Sequence, residues 1–115
     1  MYLGCGWMVE LNKAKFYDAI FSFLLETMDS DKARNHATVM VGNIIDTLYD
    51  IEKSLNNNNI AGLSKKFHTL KNLLVYGDFY YESDLCQDIE MELKTSQSIP
   101  NIMSLYTELI DGLKM

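Results

Sequence analysis

His68 is the side chain in this sequence best placed to do chemistry. Ile60, Leu63, Phe67, Leu70 and Leu74 fall at steps of three and four, which lays large apolar side chains along one stripe of a helix. At about 100° per residue, His68 lies roughly 130° from the centre of that stripe, so its imidazole is expected to face water or a partner. Ser64 and Asn72, four residues to either side, share its side of the cylinder with Lys71, and Lys65 adjoins them. An exposed imidazole among ammonium groups suits a histidine that transiently carries an anion, because lysine neutralises phosphoryl oxygens without competing as the acceptor. A lysine-rich helix face can equally be plain solvated surface with an incidental histidine, and helix geometry alone does not separate the two.

The segment from Leu63 to Gly77 resembles a histidine-containing phosphotransfer (HPt) domain, the module that shuttles a phosphoryl group between receiver-domain aspartates. In that family the signature reads His-x-Leu-Lys-Gly, then small residues, a glycine about ten places after the histidine, and later Cys-x-x-Leu-Glu. His68, Leu70 and Lys71 match the first block, and Cys86, Ile89 and Glu90 stand at the family's distances downstream, with isoleucine for leucine. The resemblance runs from about Ala33 to the C-terminus. Three places depart from the pattern: Asn72 replaces the glycine, Leu73 and Leu74 replace the small residues, and Gly77 arrives one place early. In the family, small residues there let a receiver come close to the histidine, so Asn72 would narrow that approach.

The resemblance implies that His68 accepts a phosphoryl group from a receiver aspartate and passes it to another receiver. Lys71 would stabilise the phosphoryl charge, and Glu90 would orient the imidazole through one ring nitrogen. Ser64, Lys65, Asn72, Val75 and Gly77 would form the partner-binding surface. The expected partners are response-regulator receiver domains, a hybrid histidine kinase, or both. Such a phosphocarrier has no autonomous catalysis and needs no metal or other cofactor of its own, since the magnesium ion belongs to the receiver. Two alternatives stay open. Glu90 can instead pair only with Lys94, four residues on, and the chain can be a degenerate HPt-like adaptor that binds receivers or kinases without being phosphorylated. A bundle enzyme or di-metal protein would need the Glu-x-x-His pattern, which is missing.

Composition narrows the function class. The chain has 115 residues and a formal net charge of −6, which argues against nucleic acid as a partner. Three of the 10 basic residues are Lys65, Lys66 and Lys71, so positive charge gathers around His68 in an otherwise acidic chain. Cys5 and Cys86 have no metal-ligand spacing and no disulfide framework, which fits a reducing compartment. Leu3-Gly4-Cys5 resembles the end of a lipoprotein signal, but the basic start and apolar run of such signals are missing. No stretch approaches the roughly 18 uninterrupted apolar residues of a membrane span. A cytoplasmic protein is expected.

The elements that must position these residues are helices. One proline and six glycines disfavour a turn-rich β fold. The expected architecture is all-α: an up-down antiparallel four-helix bundle over about 31–113, with an additional N-terminal helix over about 9–28, in a single domain. The bundle helices are expected near 31–55, 60–75, 79–95 and 99–113. Tyr17, Ile20, Phe21, Leu24 and Met28 mark the inner stripe of the N-terminal helix, widened by Phe16 and Phe23. That broad face either docks across the end of the bundle, leaving a monomer, or serves as a dimer surface. In the second helix Gly42 is expected at a close helix contact, and His36 near its start has no role. Asn56 to Asn59 form a turn with Asn59 as the next cap, Gly77-Asp78 closes the central helix with a left-handed residue, and Ser98 with Pro100 opens the last one.

Overall fold

The structure, a computed structural model, describes residues 13–57, 59–96 and 98–114. The described residues form five α-helices and no strand: α1 (Lys13–Leu24), α2 (Ser30–Asn56), α3 (Leu63–Val75), α4 (Tyr80–Lys94) and α5 (Ile99–Lys114). Each helix packs on the next in chain order. Short connections make such neighbours antiparallel, and α2 to α5 build the bundle with α1 as the additional helix. The long axis of 44 Å follows from α2, because its 27 residues rise about 40 Å.

Local chemistry explains where the helices begin and end. Asp29 caps α2 by accepting a hydrogen bond from the Lys32 amide at 2.9 Å, one residue earlier than a start at Asp31 would need. The central helix starts at Leu63 and not at Ile60, because Gly62 occupies the N-cap in the left-handed region at φ 82°. Asn59 is no helix cap; its Oδ1 accepts from the Ala61 amide at 3.2 Å and shapes the preceding turn. Ser98 Oγ accepts from the Asn101 amide at 3.4 Å at the head of α5, with Pro100 in the first turn.

The core is one cluster with a contribution from every helix. Leu63, Phe67, Leu70 and Leu74 of α3 are wholly enclosed, and Phe67 meets Tyr106 of α5 edge to face at 6.2 Å. Ile44, Leu48, Ile51 and Leu55 face them from α2, while Leu85, Cys86, Ile89 and Leu93 do so from α4. Ile102, Met103, Tyr106, Leu109, Ile110 and Leu113 complete the interior from α5. Gly42 corrects an expectation: it is exposed, and an added Cβ would touch nothing, so no close helix contact explains it.

The N-terminal helix docks across the end of the bundle, over the α3–α4 turn. Phe16 meets the Phe79 ring at 5.5 Å, and Phe23 meets Tyr76 at 5.6 Å, both edge to face. Its buried line is Phe16, Ile20 and Leu24; Tyr17, Phe21 and Met28 are only half-buried, so the stripe is rotated from the one the pattern marks. The helix ends at Leu24, and a turn carries the chain to Asp29. The expected start near residue 9, along with Cys5, lies outside the described residues.

That turn reverses the expected roles of Gly77 and Asp78. Asp78 takes the left-handed conformation at φ 61°, whereas Gly77 does not. Gly77 is there for space: a Cβ would come within 2.5 Å of the Phe79 ring and 3.4 Å of Ile20.

Candidate functional site

α3 presents His68 outward because its apolar residues occupy the opposite face. The imidazole is 58% exposed. Across the helix pair, Glu90 of α4 directs Oε1 to 3.5 Å from His68 Nδ1, and the Glu90 side chain is only 9% exposed. Lys71 Nζ, one turn along α3, stands 4.0 Å from the same oxygen. These are ion-pair separations and not good hydrogen bonds. Glu90 Oε1 is therefore buried with no hydrogen-bond partner among the described residues. Burying a carboxylate this way is costly unless it is compensated, and the Lys71 ammonium and the imidazole edge of His68 are the groups at hand.

The register that brings these three together has its own tie. Ser83 of α4 is buried, and its Oγ donates to the main-chain carbonyl of Lys71 at 3.3 Å. Cys86 lies on the inner side of the same stretch of α4. Burial pushes its thiol up to about 12, with the nearby Glu90 carboxylate adding to the shift and Lys71 opposing it. A thiol so held is protonated and inert, so Cys86 is a packing residue.

Of the residues expected to form the partner surface, Lys65, Asn72 and Val75 are exposed and Ser64 is half-buried, all on α3 with His68. Gly77 is a correction: it is enclosed beneath Phe79 and Ile20 and offers no surface. Leu74 is core and Leu73 half-buried, so of the four residues that depart from the HPt pattern only Asn72 is fully exposed. Lys94 is exposed and makes no ion pair with Glu90, which leaves the carboxylate to His68 and Lys71. His36 is exposed near the start of α2.

Among the described residues, no three His, Cys, Asp or Glu side chains gather as a metal site. No described helix is long and apolar enough to cross a membrane. Sequence reasoning missed Ser83, since a serine inside an amphipathic helix carries no signal for a cross-helix bond. It also missed the burial of Glu52, which a polar residue in a helical pattern does not advertise.

No protein-family model, curated protein or solved structure matches the chain.

Proposed function

We propose that the chain is a phosphorelay intermediate of the HPt type, with His68 as the phosphoacceptor. The observation that carries the reading is the pairing of an exposed imidazole with a buried carboxylate at Nδ1, 3.5 Å away. A carboxylate there favours the tautomer with the proton on Nδ1 and leaves Nε2, on the other edge of the ring, as the nucleophile. Nε2 attacks the phosphorus of an aspartyl phosphate, the P–O bond to the aspartate breaks, and the carboxylate leaves with the bonding pair. The Nδ1 proton stays on the ring, and Glu90 balances the positive charge that develops there. Lys71, already beside the site, offsets the charge of the phosphoryl oxygens.

The partners in this reading are receiver domains, a hybrid histidine kinase, or both, in a reducing cytoplasmic compartment. Ser64, Lys65, Asn72 and Val75 surround His68 as the docking surface. A monomer is favoured, because α1 spends Phe16, Ile20 and Leu24 on its own bundle. The chain carries the phosphoryl group without catalysing its transfer alone.

A second reading, an adaptor that binds receivers without being phosphorylated, draws on exposed Asn72 one turn from His68. Incubation with phosphorylated receivers separates the two. The relay reading expects acid-labile label on the chain that His68→Gln abolishes. Tight receiver binding without label would establish the adaptor instead.

A further inference from the structure

Glu90 Oε1 lies on the buried side of an imidazole that is itself exposed. The oxygen is buried, lacks a hydrogen bond among the described residues, and stands 3.5 Å from His68 Nδ1. The ammonium near it, Lys71 Nζ at 4.0 Å, is on a flexible stem and is itself only partly buried. Phosphoryl oxygens on Nε2 would offer that ammonium a second anion. The carboxylate would then answer to the ring alone.

We propose that Glu90 controls how readily His68 releases its phosphoryl group, making the phosphorylated chain a short-lived carrier and not a phosphoryl store. The inference rests on the relay reading and adds a leaving-group role to Glu90, a positioning residue. In the outward transfer an acceptor oxygen attacks phosphorus, the Nε2–P bond breaks, and its electron pair returns to Nε2. With a proton on Nδ1 the ring departs as neutral imidazole. Without that proton it would depart as imidazolate, a far poorer leaving group. A carboxylate 3.5 Å from Nδ1 favours the protonated ring by its charge, and a neutral amide at the same place does so less well.

The test uses the full chain with exposed His36 changed to Gln, so that label reports His68 alone. Phosphoramidate serves as the donor: Nε2 attacks its phosphorus, the P–N bond breaks, and ammonia leaves. The lifetime of phosphorylated His68 and the ¹⁵N signature of its Nδ1 are then compared with those of Glu90→Gln, which keeps shape and acceptor but loses charge. Glu90→Gln is expected to lengthen the lifetime about tenfold, the scale on which one nearby opposite charge shifts a proton equilibrium, and to weaken the Nδ1–H signature. Glu90→Ala, a second variant checked for native helicity, is expected to lengthen it at least as much. Lifetimes within about twofold of the parent in both variants would overturn the inference and leave the relay reading standing. Failure to exchange with any receiver, with the lifetime difference intact, would overturn the relay reading and leave the control by Glu90 standing.

Discussion

The hydroxyl of Ser83 donates to the carbonyl oxygen of Lys71, 3.3 Å away across the α3–α4 pair. This polar bond ties α4 to α3 near the level at which Glu90 meets His68. Ser83→Ala is expected to cost about 1 kcal/mol in urea unfolding. It should slow labelling of His68 less than Glu90→Ala does, because apolar packing still holds the helices together. An equal loss in both variants would mean that the hydroxyl, and not the packing, sets the register.

Asn72 is exposed one turn beyond His68, where a docked receiver would press. Asn72→Gly is expected to speed phosphotransfer from a cognate receiver while lowering stability by about 0.5 kcal/mol, the helix cost of glycine relative to asparagine. Stopped-flow labelling and thermal melts read the two effects separately. A slower rate at unchanged fold would show that the asparagine contributes to docking.

At the α3–α4 turn, space and backbone conformation fall on different residues. Gly77→Ala is expected to destabilise by about 1–3 kcal/mol, because the new methyl group meets the Phe79 ring at 2.5 Å and pushes on the α1 docking site. Asp78→Gly should instead raise stability by about 0.5 kcal/mol, since glycine adopts φ 61° without a Cβ penalty. Paired denaturation curves test both signs.

Gly42 lies exposed in the middle of α2 with open space where a Cβ would go. Gly42→Ala is therefore expected to add about 0.5–1 kcal/mol of stability with no change in labelling of His68. A loss of stability would reveal a contact at this position.

Alkaline pH should unfold the protein through buried acids. The Cys86 thiol moves from an ordinary 9.0 to about 12. The Tyr106 phenol is also raised, first by burial and then by Glu52 and Cys86. Between pH 9 and 12 the unfolded chain gives up a thiol proton that the folded chain keeps, so the folded state binds more protons and stability falls as pH rises. The contribution is complete below pH 9 and declines by at most about 1.4 kcal/mol per pH unit for each such group. Cys86→Ala should flatten the decline above pH 9, as read by urea midpoints across that range. An unchanged slope would assign the loss to other groups.

Much of the fold was legible in the sequence because a helix writes itself locally. The stripe from Leu63 to Leu74, the outward position of His68, the cap at Ser98, and the all-α class follow from a 3.6-residue period and from side chains that bond within a few positions. Phe16 shows the limit of that period. On a helix with apolar residues over a wide arc, the pattern marks Tyr17 and Phe21, yet the deepest line is Phe16, Ile20 and Leu24, because the Phe79 ring chooses what it packs against.

The sequence by itself determined that one imidazole would stand outside a helical bundle among lysines, since the apolar stripe of its own helix leaves it nowhere else to point. Tertiary structure alone decided what stands behind that imidazole. Glu90 had a neighbour of opposite charge at Lys94 and a distant partner at His68, and only the relative slide of α3 and α4 brings Oε1 to the ring and leaves Lys94 in water. The same holds for Gly77: its place under Phe79 and Ile20 comes from α1 crossing the turn, a contact between segments far apart in the chain that no local pattern encodes.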